Sequence, residues 1–256
     1  MAREPKQAEP GRLGISRRRG ERWSQFAARI ADAFGLVLLL VLATYVLGSL
    51  TSSGGWTGAL TVLVALTAAI VAFVSAGVRS LVVRIGLLLA LAGVVLAALS
   101  AILDQRELLG ASGLITAILL LVAAGAILRT VVAETEVGFR TILGAISVYT
   151  ILGLLFSFLY VALDRIQSTP FFGSGASVGR GDTLLFSFYT LTTTGYGNLV
   201  PAGQPGKLFA GLEMLIGNIF LVTLVAGLVS LWRPGSRARG LRGDTRLASS
   251  SPPQAH

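Results

Sequence analysis

The sequence contains no cysteine and a single histidine, His256, at its end. Disulfides and thiolate metal sites are thereby excluded, as is a buried Cys or His nucleophile. Charge is also scarce: Asp, Glu, Lys and Arg make up 13% of the 256 residues. An ordinary soluble domain carries roughly 25% charged residues, so this chain lacks the polar surface that water would demand. What it has instead is apolar bulk, 54% hydrophobic residues with a mean hydropathy of +0.77. That composition places the chain in a lipid bilayer.

A helix needs about 20 mostly apolar residues to cross the hydrocarbon core. Six stretches meet this requirement, at 30–50, 57–78, 82–103, 112–132, 141–163 and 206–232. The first is followed by polar Thr51-Ser52-Ser53-Gly54-Gly55 rather than a convincing cleavage site, and is read as a retained helix. An even number of spans puts both ends on one side. The net charge of +9 tests this arrangement, because basic residues favour the cytoplasmic side of short loops. With both termini inside, 17 of the 21 basic residues are cytoplasmic, and only Arg106, Arg165, Arg180 and Lys207 lie outside. The Arg-rich segments at 1–29 and 233–256 need no nucleic-acid partner, since anionic headgroups of the inner leaflet satisfy them. Beyond Trp232 the chain is rich in Arg, Ser and Pro without apolar periodicity, so 233–256 is expected to be a disordered tail with no ligand-sensing fold. Abundant Ala, Leu, Val, Gly and Arg suggest a bacterial plasma membrane.

Between the fifth and sixth stretches lies a longer segment, 164–205. Phe172-Gly173-Ser174-Gly175-Ala176-Ser177 reads as an exposed extracellular loop. Asp182 stands where an N-cap belongs, before the apolar run Thr183–Leu191. That run is too short to span, so it is expected to form a re-entrant half-helix. Irregular backbone at membrane depth survives only when buried in protein or lining a water-filled path, which marks the residues that follow as a candidate site.

Those residues are Thr192-Thr193-Thr194-Gly195-Tyr196-Gly197-Asn198. Together with the half-helix before them, Pro201 and the long apolar helix after them, they resemble the potassium-channel signature Thr-x-Gly-Tyr-Gly, a likeness that extends over 141–232. The resemblance implies a homotetrameric, all-α membrane pore with one selectivity-filter strand from each chain. Potassium is then the permeant ion and no cofactor is required. A dehydrated potassium ion must exchange its water shell for oxygens, and stacked rings of backbone carbonyls can supply them. Gly195 and Gly197 can adopt left-handed backbone without a Cβ penalty, letting successive carbonyls face one axis. The ion ligands would be the carbonyls of Thr193, Thr194, Gly195 and Tyr196, with the Thr193 hydroxyl innermost. Tyr196 is expected to pack on Phe186 and Tyr189, while the carbonyl end of the half-helix favours a cation.

The remaining candidates are read with alternatives open. Thr192 either lines the pore entrance or satisfies a backbone group. Asn198 replaces the Asp most often found after Gly-Tyr-Gly, which removes negative charge from the outer mouth and bears on conductance and selectivity. Gly217 falls where an inner-helix hinge is common, whereas Gly211 and Gly227 fit close packing equally well. Glu213 is expected to partner a hydroxyl or amide behind the filter.

Residues 30–132 resemble the four-helix peripheral bundle of six-span channels in number and order, joined by a linker at 133–140. Their fourth stretch carries only Arg129, and each charge crossing the field is worth about 2.3 kcal/mol per 100 mV, so strong voltage gating is not expected. Asp32 is read as a partner for a nearby arginine. The competing functions are a weakly selective cation channel, a potassium transporter subunit and a scaffold that has lost conduction. Transporters of this kind usually carry four degraded pore loops in one chain, and this chain has one intact loop. Asp32 and Glu213 have no evident partner for acid/base work, so no enzyme is expected.

Overall fold

The computed structural model describes residues 34–50, 56–134, 138–173 and 179–231, with side chains as far as Gly227. Asp32, the Arg-rich ends, the middle of the linker at 133–140 and the loop residues Ser174–Ser177 lie outside the described residues. The fold is an all-α membrane protein. Its helices are α1 (Phe34–Leu50), α2 (Trp56–Ser75), α3 (Ser80–Leu103), α4 (Arg106–Ala133), α5 (Phe139–Ile166), α6 (Arg180–Leu191) and α7 (Gln204–Leu231). Among the described residues, α2, α3, α4, α5 and α7 are long and apolar enough to cross a bilayer, and α1 is a shorter apolar helix.

These segments are helical because a bilayer core offers no water to an open backbone, so every peptide group must be satisfied within its own segment. The few hydroxyls they carry turn back onto the helix. Thr44, Thr61, Thr116, Ser147 and Thr150 each donate to the carbonyl four residues earlier, at 2.8–2.9 Å. Breaks occur where a residue can take left-handed backbone, Gly77 (φ 64°) after α2 and Asp104 (φ 52°) after α3.

Burial ranks the helices by position. On α5, 17 of 28 residues are buried, which makes it the central helix. On α3 the buried residues are Gly86, Ala90, Gly93 and Ala97, a stripe of small side chains, while Leu81, Leu87, Leu88 and Leu91 face outward as an exposed apolar wall. The antiparallel α4 and α5 approach closely through glycine: a Cβ on Gly113 would lie 3.1 Å from the Phe158 carbonyl oxygen. The connector between them is short, and Glu134 is tied to Thr141 Oγ1 at 2.6 Å and to Arg140 at 3.0 Å. The peripheral helices therefore rest on α5 and α6 of their own chain. Tyr45 of α1 meets Phe188 of α6 edge-on at 4.9 Å, and Arg140 of α5 lies 5.1 Å from the Phe34 ring.

Basic residues separate to the two ends of this stack. Arg106, Arg165, Arg180 and Lys207 stand at helix termini on one end, whereas Arg79, Arg84, Arg129 and Arg140 stand near the other. Arg129 is exposed, so it points away from the bundle interior where a voltage-sensing charge would have to move.

Two local expectations are corrected. Gly179, not Asp182, is the N-cap of α6, and Asp182 occupies the third helical position, where its carboxylate accepts the Gly179 N–H at 2.9 Å. An acid there still favours the positive end of the helix. Phe172 is not an exposed loop residue. It is 3% exposed and pairs with Pro201, because the chain leaving the site returns against it.

Candidate functional site

The site is built on α6, a 12-residue helix wedged between α5 and α7. Its first turn is anchored by Arg180, which is buried, donates to the Gly58 carbonyl of α2 at 2.8 Å and lies 5.5 Å from the Phe158 ring. Further along, Phe188 lies so close to α5 that a Cβ on Gly153 would come within 2.7 Å of its ring. Only glycine permits that approach.

At the other end of α6 the orphan carbonyls of the last turn are all used. Phe188 O accepts from Thr192 N at 3.0 Å and from Thr192 Oγ1 at 2.8 Å. Tyr189 O accepts from Thr194 N at 2.8 Å and Gly195 N at 3.3 Å, Thr190 O from Thr193 N at 3.0 Å, and Leu191 O from the Tyr149 hydroxyl at 3.3 Å. The carbonyl end of α6 is thus capped by the segment that follows it. Thr192 takes the backbone-satisfying role, and its Oγ1 also contacts Thr194 Oγ1 at 2.9 Å.

Capping consumes the N–H groups of Thr192 to Gly195. Among the described residues no hydrogen bond ends on the carbonyls of Thr193, Thr194, Gly195 or Tyr196. The backbone through this stretch alternates in hand, with positive φ at Thr193 (57°), Gly195 (54°) and Gly197 (78°). Successive peptide groups in such an alternating conformation turn like poles to one side instead of to opposite sides. Gly195 and Gly197 were expected there. Thr193 was not, and holding a β-branched residue at positive φ costs about 1–3 kcal/mol, which the capping bonds on either side must sustain. Residues 192–198 are exposed in the isolated chain.

Tyr196 meets Tyr189 edge-to-face at 5.7 Å, and Tyr189 meets Phe186 at 5.4 Å, so Phe186 supports the Tyr196 ring through Tyr189. The Tyr189 hydroxyl donates to Leu199 O at 2.7 Å, spanning the segment from its foot to its outer end. That outer end is clamped again where Gly173 N donates to Val200 O at 3.0 Å and Ala202 N to Phe171 O at 2.8 Å. Asn198 lies exposed beside this clamp, with no side-chain hydrogen bond among the described residues. Sequence reading missed Phe171, Phe172, Tyr149, Tyr160 and Ser187. The adjacent aromatics after Pro170 and the polar groups inside apolar helices were the available signals.

Glu213 of α7 is fully buried and joins three helices. Its Oε2 contacts the Tyr160 hydroxyl of α5 at 2.6 Å and its Oε1 the Ser187 hydroxyl of α6 at 2.5 Å. Helix α7 runs unbroken through Gly217, where a Cβ would fall 2.5 Å from the Leu191 carbonyl oxygen. Among the described residues, no atom outside their own helix lies within 4 Å of the Cβ positions of Gly211 and Gly227. Close packing therefore falls on Gly217.

One comparison with known families bears on this site. Residues 144–233 match a family model described as ion channel. The match covers α5 from Gly144 onward, α6, the alternating segment and α7, and it stops short of the peripheral helices. It supports an ion channel. Neither the curated proteins nor the solved structures searched contain a match to this chain.

Proposed function

We propose that this chain is one subunit of a homotetrameric, potassium-selective ion channel with six membrane spans. It conducts passively across a bacterial plasma membrane with both termini cytoplasmic, and residues 193–197 are its selectivity filter. The observation that carries the reading is the run from Thr193 to Gly197. Its backbone alternates in hand, the N–H groups of Thr193, Thr194 and Gly195 are spent on capping α6, and among the described residues the carbonyls from Thr193 to Tyr196 have no hydrogen-bond partner. Unpaired carbonyls at membrane depth need a cation or water. Rings of them, one strand from each subunit around a common axis, replace the hydration shell of potassium.

A single strand encloses nothing, so the pore requires further copies. Among the described side chains of α7 the buried residues are Gly206, Ala210, Glu213 and Gly217, leaving Leu208, Leu212, Leu215, Ile219 and Val222 exposed on its other faces. Neighbouring subunits and the pore axis would take up those faces, with lipid covering α3. The exposed position of Arg129 supports a channel that is not strongly voltage-gated.

The test is the reversal potential of the purified protein in a planar bilayer with potassium on one side and sodium on the other. A reversal near the potassium equilibrium potential, lost in Gly195→Ala, is the expected result. A reversal near zero would instead establish the weakly selective cation channel, a reading favoured by Asn198 and its missing negative charge at the outer mouth.

A further inference from the structure

The cluster around Glu213 poses a proton-counting problem. Three oxygen–oxygen contacts meet there: Tyr160 Oη to Glu213 Oε2 at 2.6 Å, Ser187 Oγ to Glu213 Oε1 at 2.5 Å, and Ser187 Oγ to the Gly153 carbonyl at 2.7 Å. Each is of hydrogen-bond length, and two oxygens so close without a hydrogen between them repel. The two hydroxyls supply one hydrogen each. Tyr160 gives its hydrogen to Glu213. Ser187 faces two acceptors on different helices and has one hydrogen for both, and the Gly153 carbonyl can never donate. With an ionised Glu213, one of the two Ser187 contacts is left without a proton.

We infer that Glu213 is a neutral, proton-donating acid that positions α6, and through it residues 192–197, against α5 and α7. Its Oε1–H donates to Ser187 Oγ, Ser187 donates to the Gly153 carbonyl, and Tyr160 donates to Glu213 Oε2. Every contact then holds one hydrogen, and every donor points the same way around the chain. The surroundings agree. Glu213 is fully buried, and among the described residues the ion pairs are Glu134–Arg140 and Asp164–Arg165. The cations on the packing helices are Arg140, Arg165, Arg180 and Lys207, and none pairs with Glu213. A buried carboxylate without a counter-charge is strongly penalised, whereas a buried, hydrogen-bonded acid is not.

Ser187 lies two residues before Tyr189, whose carbonyl caps Thr194 and Gly195 and whose hydroxyl holds Leu199. Glu213 therefore acts on the filter as a positioning residue, without touching an ion. This functional consequence rests on reading 193–197 as a filter, but the protonation state does not.

The experiment compares Glu213→Gln, Glu213→Ala and wild type, reconstituted in lipid at neutral pH. Glutamine reproduces the neutral acid, since its amide donates to Ser187 and its carbonyl accepts from Tyr160. The infrared difference between wild type and Glu213→Gln should remove a protonated carboxylic C=O band that shifts in D2O. Glu213→Gln should keep the wild-type reversal potential and thermal stability, while Glu213→Ala loses both. Loss of an ionised carboxylate band instead, or a glutamine variant as damaged as the alanine variant, would overturn the inference. A protein that proves silent in the bilayer still answers the infrared and stability arms, so failure of the channel reading is distinguishable from failure of this one.

Discussion

Replacing Gly217 by alanine separates a packing glycine from a hinge glycine. The new Cβ would lie 2.5 Å from the Leu191 carbonyl oxygen, 3.3 Å from its carbon and 2.8 Å from a side-chain methyl. The first two are backbone atoms at the capped end of α6 and cannot rotate away, so the whole α6–α7 contact must open. Overpacking in a close-packed core costs about 1–3 kcal/mol, and a backbone obstacle puts this site near the upper end. Removing a glycine from a helix interior returns about 1 kcal/mol, leaving a net loss of about 2 kcal/mol per chain. Gly211→Ala is the comparison within the chain, because among the described residues no atom outside its own helix lies within 4 Å of its Cβ position, and against its own chain only the propensity gain applies. The two variants should therefore differ by about 3 kcal/mol, or about 6–12 °C in melting temperature at 2–4 °C per kcal/mol for a chain of this size. Intrinsic-fluorescence melts of the detergent-solubilised protein measure this difference. A glycine retained only for bending would give Gly217→Ala a melting temperature equal to or above that of Gly211→Ala, and that result would refute the packing argument.

In the proposed tetramer, Asn198→Asp should raise single-channel potassium conductance by placing a ring of negative charge at the outer mouth, with the gain shrinking as salt is raised from low to physiological strength; a salt-independent change would point away from electrostatics. Tyr189→Phe removes the 2.7 Å bond to Leu199 and should destabilise by about 1 kcal/mol. Because that bond ties the foot of the proposed filter to its outer end, sodium exclusion in reversal-potential recordings should weaken more than the melting temperature falls. Arg129→Gln should leave the voltage dependence of open probability unchanged, since the side chain is exposed and outside the bundle interior. Glu134→Gln breaks the ion pair with Arg140, whose side chains are each 26% exposed, and a partly exposed pair of this kind contributes about 0–1 kcal/mol; the melting temperature should move by no more than a few degrees.

The order of apolar runs, the short helix before Thr192 and the Gly-Tyr-Gly segment were legible from the chain alone. Each is written in a local property: twenty apolar residues suffice to span lipid, a ten-residue run cannot, and glycine at alternate positions permits a backbone that other residues resist. Helix ends were read less well, because one turn of apolar residues looks alike inside and outside a helix. Gly179 displaced Asp182 as the cap of α6 for this reason, since Arg180 and Gly181 join the helix once Arg180 finds Gly58. Phe172 was misread because its burial depends on Pro201, which is far away in sequence and adjacent only after the chain has turned back. Positive φ at Thr193 was likewise invisible, since threonine does not choose that conformation and is held in it by bonds from the last turn of α6. What composition and spacing determined was the solvent, the spans and the segment that could carry an ion site. Tertiary structure alone decided which glycine packs, which hydroxyls meet Glu213 and what holds the alternating backbone in place, because each depends on two helices arriving at the same point.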